Sequence, residues 1–190
     1  MRVLVPVIPV SLLSLALALA CSDGTSPTDA ARPAFAAGGH SGFGFNGSVS
    51  GAPTGVVRLT GGGSFDPTTA SNTVPTETSA AAGGGFDCTA AVAQGPLIGC
   101  EAGQGVRWDT AQLLASATFK CTGADAAKTA TTDGHTAVLR AEFYRAGDGN
   151  EESFTAQMFV ADRDLAPDLP GVQNLWVQGV GCGTATVNFN

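Results

Sequence analysis

The sequence has little positive charge, and this shortage excludes whole classes of partner. Lysine and arginine number 9 against 16 acidic residues, which gives a formal net charge of −7 at pH 7. No cluster of basic residues interrupts this balance, and a surface of that sign repels nucleic acid and anionic lipid headgroups. We therefore expect no nucleic-acid partner.

The residues that metal and nucleophile chemistry require are also scarce. The chain has two histidines and no CxxC pair, so we expect no zinc site or other metal. It contains no GxSxG motif. His40 lies beside Ser41 and His135 lies near Asp133, but neither pair is accompanied by the further residues of a catalytic set. We expect no cofactor and lean against an enzyme, with an envelope hydrolase that uses His40 or His135 as the alternative.

Two patterns that suggest ligands are better explained as ordinary structure. Residues 42–47 match GxGxxG, but their phenylalanines alternate as in a strand, so a phosphate cradle is not favoured. A set of oxygen-bearing side chains resembles a calcium site, yet it lacks the distal glutamate of an EF-hand and is typical of acidic turns. The set comprises Asp148, Asn150, Glu152, Asp162, Asp164 and Asp168.

The N-terminal segment is apolar and carries only one early charge, Arg2. Residues 3–20 have no charged side chain, which is typical of a secretory signal peptide. A membrane-spanning helix is the alternative, because about 18 apolar residues can cross a bilayer. Pro6, Pro9 and the small residues before a lone cysteine favour a cleaved segment.

The pentapeptide LALAC, residues 17–21, resembles the lipobox of bacterial lipoprotein precursors. In that family a peptidase cuts before a diacylglyceryl-modified cysteine, so the resemblance implies that Cys21 carries lipid, palmitate included. An ordinary secreted cysteine is the alternative. The Ser-, Thr-, Pro-, Ala- and Gly-rich residues that follow predict a flexible tether.

The chain is thus predicted to comprise a signal peptide (1–20), a tether (21–38) and one domain (39–190). The domain would be held at a membrane by its N-terminal lipid and would face the periplasm or the cell exterior. Multiple acyl chains give stable anchoring, since each buried methylene contributes about 0.8 kcal/mol.

Four cysteines remain after Cys21, an even number for a compartment outside the reducing cytosol. They predict two disulfides, for which three connectivities exist. We favour Cys88 with Cys100, which closes a short loop, and Cys121 with Cys182, which ties the middle of the domain to its last strand.

Alternating apolar residues and 26 glycines predict strands and turns. The clearest case is a hairpin of residues 136–145 and 153–161, joined by glycine-rich turn chemistry. Residues 174–190 alternate over a long span whose glycines suggest a bend, and residues 89–93 could form a short helical turn. We predict an all-β fold, a single antiparallel β-barrel or β-sandwich of about 7–8 strands. The inward side chains of the hairpin would be Leu139, Ala141, Phe143, Phe154, Ala156, Met158 and Val160.

The stretches GGGFDCT, VRWDTAQLLASATFKCTG and GVQNLWVQGVGCGTATVNFN resemble a group of secreted bacterial β-rich proteins. The resemblance spans most of the predicted domain. It implies no activity, and no functional residue follows from it.

Three side chains, Arg140, Tyr144 and Trp176, are candidates for recognition on the outer face of the sheet. Exposed aromatic residues offer wide contact at small entropic cost; the alternative is that the tether, a loop or a second sheet covers them. The leading hypothesis is a binding module for an apolar ligand or for an envelope protein or glycan, and a passive surface lipoprotein is the further alternative. A dry interior pocket would favour the apolar ligand, whereas these three residues together outside would favour a protein or glycan.

Overall fold

The computed structural model describes residues 39–51, 54–74, 80–146 and 153–190, which form an all-β structure. Within them the only helical turn is a 3₁₀ turn, Pro67–Thr69. No helix among these residues is long and apolar enough to cross a membrane. The strands are β1 (Ser41–Gly51), β2 (Val56–Phe65), β3 (Ala80–Ala90), β4 (Arg107–Leu113), β5 (Ser116–Phe119), β6 (Lys128–Thr131), β7 (Thr136–Tyr144), β8 (Phe154–Ala161), β9 (Leu175–Val177), β10 (Gly181–Gly183) and β11 (Ala185–Phe189).

Nine of these strands form one antiparallel sheet that closes on itself. The strand order is β10-β9-β8-β7-β4-β3-β2-β1-β11, and β10 also pairs with β1. The end of the chain bends along β1, so that β11 pairs with Phe43–Gly47 and β10 pairs with Ser50 and Gly51. Of the two predicted architectures, the closed barrel is therefore the observed one, and closure leaves few strand edges open.

Alternate side chains of the ring point inward and form the inner core. The predicted hairpin of β7 and β8 is confirmed, with Leu139 opposite Met158 and Phe143 opposite Phe154. All seven side chains predicted to face inward in this hairpin belong to the inner core. The largest inner-core side chains that are almost fully buried are Leu59, Phe65, Leu97, Trp108, Leu113, Leu139, Phe143, Met158 and Leu175.

A small sheet made of β5 and β6 covers part of the outside of the ring. Beneath it lie Val138, Phe159 and Trp176, which alternate with inner-core residues on β7, β8 and β9. These three strands are therefore buried on both faces over part of their length. We call the buried set the outer cluster: Leu114, Ala117, Phe119, Cys121, Ala130, Val138, Phe159, Ala166, Trp176 and Cys182.

Both predicted disulfides form with the favoured connectivity. Cys88 and Cys100 are joined within the inner core, and Cys121 and Cys182 are joined within the outer cluster. Each apolar cluster thus contains one covalent link. Cys21 lies outside the described residues, as does the tether.

Two sequence expectations differ from the structure. The helical turn expected over residues 89–93 is wrong: β3 runs to Ala90, and Val92 instead exchanges backbone hydrogen bonds with Cys100 and Gly99. These bonds use backbone groups that a helix would need. The C-terminal span is three strands, because a turn at residues 178–180 separates β9 from β10. Residues 107–121 contain two strands that belong to different sheets.

Glycines in β2 and β3 allow large side chains to lie close to the backbone inside the ring. Gly61 faces Gly84 across the two strands, and a Cβ atom at Gly61 would lie 2.6 Å from ring atom Cζ2 of Trp108. Trp108 also donates a hydrogen bond from Nε1 to the carbonyl oxygen of Thr60, 3.0 Å away. Glycine at 61 is therefore needed for the tryptophan to pack against β2.

Candidate binding site on the outer face

The outer face of β4, β7 and β8 is polar where the small sheet does not cover it. On β7, Arg140, Glu142 and Tyr144 alternate with buried residues. Strand pairing extends them into three cross-strand rows, which we call the polar face. The rows are Arg107 with Tyr144, then Asp109 with Glu142 and Thr155, then Gln112 with Arg140 and Gln157.

The charged groups of the first two rows are engaged with one another. The Arg107 guanidinium lies 4.2 Å from the centroid of the Tyr144 ring, and its Nε is 3.2 Å from Oδ2 of Asp109. The Tyr144 hydroxyl donates to Oε2 of Glu142 over 3.1 Å. Burial and this hydrogen bond raise the pKa of Tyr144 above its ordinary value.

The third row lines an open cleft of about 330 Å³. Arg140 is exposed there, and its guanidinium makes no hydrogen bond or ion pair with any residue in the described ranges. Its guanidinium is consequently available to a ligand. The other polar side chains lining the cleft are Asn72, Gln112, Thr155, Gln157 and Gln178.

Three amide side chains of the cleft are held in place by the backbone. Asn72 accepts a hydrogen bond at Oδ1 from the backbone N–H of Ser116, at 3.2 Å. Gln112, only 8% exposed, donates from Nε2 to the carbonyl oxygens of Ser71 and Val74, at 2.9 and 3.3 Å. Gln178 accepts a hydrogen bond at Oε1 from the backbone N–H of Gln157, at 3.1 Å. The side-chain oxygen of Gln112 is therefore left to accept a hydrogen bond from a ligand in the cleft, and the side-chain nitrogen of Gln178 is left to donate one.

Trp176, the third predicted recognition residue, is not on the surface. It is 3% exposed, packs beside Phe119 and Phe159, and donates from Nε1 to the carbonyl oxygen of Lys120 over 3.1 Å. Cover by a second sheet was the predicted alternative, and it is what the structure shows for Trp176. Of the three candidates, Arg140 and Tyr144 lie on the same outward face of β7 but two rows apart, and Trp176 is buried elsewhere.

The two histidines lie away from the cleft. Nδ1 of His135 is 2.6 Å from Oδ2 of Asp162, and the His135 side chain is 65% exposed. His40 is exposed as well. In the part of the chain that the structure describes, no serine hydroxyl is hydrogen-bonded to either histidine.

The acidic residues considered for calcium have separate partners. Asp162 pairs with His135, Asp164 accepts backbone N–H groups of Ala166 and Gln173, and Asp168 pairs with Lys128. Among the described residues no group of three or more potential metal ligands gathers. Residues 148, 150 and 152 lie outside the described ranges.

Most of the cleft was not found from the sequence. The outward positions of Gln112 and Gln157 follow from strand alternation, but glutamines on a sheet surface carry no functional signal of their own. Asn72 and Gln178 come from a loop and a turn that only the closed sheet brings beside β7.

Fold and site together define a disulfide-linked, closed all-β domain with a polar cleft on its outer face. No family model matches the chain, and comparisons with curated proteins and with solved structures find no match.

Proposed function

We propose that the protein is a lipid-anchored binding module of the cell envelope that recognises a polar partner through the cleft around Arg140. The observation that carries the proposal is the exposed Arg140 guanidinium, which has no ion-pair partner among the described residues. Hydrogen bonds from a charged donor are about twice as strong as neutral ones. An unpaired guanidinium in a cleft is therefore a strong point of attachment for a polar ligand.

The packing of the ring supports a ligand outside rather than an apolar ligand inside. Trp108, Leu139, Phe143 and Met158 project into the ring and have no exposed surface. An apolar ligand inside the ring would have to displace such side chains, which close-packed interiors resist. The lining of the cleft, by contrast, is mostly amide, hydroxyl and guanidinium.

The sequence before the domain supports attachment to a membrane. The lipobox-like residues 17–21 would place lipid on Cys21, and the tether of about 18 residues would span roughly 20–25 Å on average if flexible. A rigid sheet held by such a tether can turn its polar face toward envelope components. Rigid scaffolds that carry a recognition surface are a common arrangement for binding proteins.

The anchor is tested by fractionating cells that express the full chain. Cys21→Ala is expected to move the protein from the membrane fraction to the soluble envelope fraction, and globomycin is expected to block maturation of the natural sequence. Unchanged partitioning of the variant would contradict the anchor.

The binding face is tested separately with immobilised full chain and solubilised envelope material. Arg140→Ala is expected to reduce the retained saccharide or protein at least tenfold. Arg58→Ala is the matched control, since Arg58 is also an exposed arginine on the outside of the ring, on β2. Equal retention by the natural chain and both variants would refute a role for this face.

A further inference from the structure

We infer that the cleft takes an acidic saccharide, with Arg140 binding its carboxylate and the amide side chains binding its hydroxyl groups. The inference rests on the proposed function and names the ligand class of the same site. It follows from the charge of the cleft, from the hydrogen-bonding groups that line it and from its size.

The charge of the cleft comes from a single group. Arg140 is flanked across the strands by the neutral residues Gln112 and Gln157. The nearest carboxylates on the polar face are engaged, Glu142 by the Tyr144 hydroxyl and Asp109 by Arg107. Arg140 is the one charged residue in the lining of the cleft, which fits a ligand with one negative charge, and a guanidinium binds a carboxylate through two parallel hydrogen bonds.

The amide groups match hydroxyls better than they match a second charge. Gln178 is held by its oxygen and offers its nitrogen, whereas Gln112 is held by its nitrogen and offers its oxygen. Gln157, between them, makes no side-chain hydrogen bond with a described residue. A sugar hydroxyl is both donor and acceptor, so neighbouring hydroxyls on one ring can use both kinds of group.

Two features prepare the cleft for such a ligand. Backbone hydrogen bonds hold Gln112 and Gln178 before any ligand arrives, which reduces the ordering cost of binding. The volume of about 330 Å³ is at the lower end for small-molecule sites and has room for one or two sugar rings. Of the two apolar residues in the lining, Leu114 belongs to the outer cluster and the side chain of Ala156 points into the inner core.

The test titrates the full chain in detergent with D-glucuronate and with D-glucose, which differ in the carboxylate. Binding is followed by chemical-shift changes of the Gln112, Gln157 and Gln178 side-chain amides. Glucuronate is expected to bind at least tenfold more tightly than glucose, and Arg140→Ala is expected to remove that preference. Arg140→Lys should keep part of it, since lysine retains the charge without the two-pronged geometry.

Two further variants separate the contributions of the cleft. Gln178→Leu is expected to weaken the binding of both sugars by a similar factor, because it removes a contact to a sugar hydroxyl and leaves the positive charge of Arg140 in place. Arg58→Ala is expected to change neither affinity. Urea unfolding of each variant verifies that the fold is intact.

Three outcomes would overturn the inference: equal affinity for the two sugars, a preference for glucuronate that survives Arg140→Ala, or acetate binding as tightly as glucuronate. If neither sugar binds but envelope material is still retained in an Arg140-dependent way, the inference fails and the proposed function stands. If that retention is absent too, the proposed function fails as well.

Discussion

The inner core and the outer cluster lie on opposite faces of the same three strands, but they are enclosed in different ways. On β7, Leu139 belongs to the inner core and its neighbour Val138 belongs to the outer cluster. The inner core is surrounded by the ring of paired strands. The outer cluster is covered by the two-stranded small sheet and by a loop that contains Ala166.

This difference indicates which part of the molecule depends on the other. A two-stranded sheet is marginal on its own, so the small sheet needs the ring as a surface to pack on. It is fastened by the Cys121–Cys182 disulfide and by the hydrogen bond from Trp176 to Lys120. The ring, in contrast, closes through pairing of the first described strand with the last. We expect the ring to determine global stability and the small sheet to be able to separate from it.

The two tryptophans provide the sharpest test of this comparison. Trp108→Ala should lower the free energy of unfolding by about 5 kcal/mol, near the top of the range for such truncations, because the closed ring cannot collapse into the space. Trp176→Ala should cost less, about 2–3 kcal/mol, because the small sheet can settle onto the ring. Urea unfolding measures both. A larger loss for Trp176→Ala would reverse the assigned dependence.

The two disulfides test the same comparison, because each one stabilises the fold by restricting the unfolded chain. Cys121 and Cys182 are separated by 61 residues, whereas Cys88 and Cys100 are separated by 12. Chain entropy predicts that replacing the first pair by alanines costs about 4 kcal/mol and the second about 3 kcal/mol.

Hydrogen exchange adds a local readout for these two variants. Loss of Cys121–Cys182 is expected to speed exchange in β5 and β6 while the ring strands stay protected. Uniform loss of protection would mean that the two sheets unfold as one unit. Non-reducing peptide mapping of the natural chain verifies the two pairings beforehand.

A smaller, pH-dependent effect is expected at Asp125, in the loop between β5 and β6. Its side chain is 5% exposed. Burial opposes its ionisation, but hydrogen bonds from the backbone of Cys121 and Thr122, from the Thr122 hydroxyl and from Lys128 outweigh it and lower the pKa from 3.8 to about 2.

Because the folded-state pKa lies below the unfolded value, Asp125 stabilises the fold at pH values above 3.8, and this contribution is lost as pH falls toward 2. Asp125→Asn should therefore cost on the order of 1–2 kcal/mol at pH 6 and progressively less at lower pH. The control is Asp168→Asn, which removes a 59% exposed partner of the same lysine and should cost under about 0.5 kcal/mol. A pH-independent loss in Asp125→Asn would contradict this account.

The smallest effect is expected on the polar face. Arg140→Ala should change the free energy of unfolding by less than about 0.5 kcal/mol, since surface substitutions away from networks rarely matter more. The urea midpoint tests this. A loss above 1 kcal/mol would mean that Arg140 supports the fold, which would weaken its assignment to ligand binding.

The sequence was most informative where one face of a strand is buried and the other is not. The second half of β7 alternates strictly, and its inward residues Leu139, Ala141 and Phe143 were predicted correctly. The favoured disulfide pairing was also correct, although spacing alone left three connectivities open. At the start of β7, Thr136–Leu139 are buried without a break, and alternation alone gives no sign that a second sheet covers the outer side.

Long-range placement limited the prediction of the site. Residues 107–121 have one continuous pattern, yet the chain leaves the ring after Leu113 and β5 begins a separate sheet. That departure covers Trp176, whose outward position was predicted and whose burial by a second sheet was given as the alternative. The outward direction of Arg140 and Tyr144 could be predicted because it depends on their own strand alone, whereas the cleft depends on distant segments.

The pairing of β1 with β11 has a mechanical consequence. The backbones of Gly42 and Asn190 hydrogen-bond to each other in both directions, at 3.0 Å, and β1 is bonded along its other side to β2. Tension applied between residues 39 and 190 would unzip β1 from β11 one pair at a time. Tension that enters at residue 39 and leaves through a ligand on β7, the strand opposite β1 in the ring, would instead load two rows of hydrogen bonds in shear. A domain tethered at its N-terminal side and bound at the polar face would thus carry force in its more resistant direction.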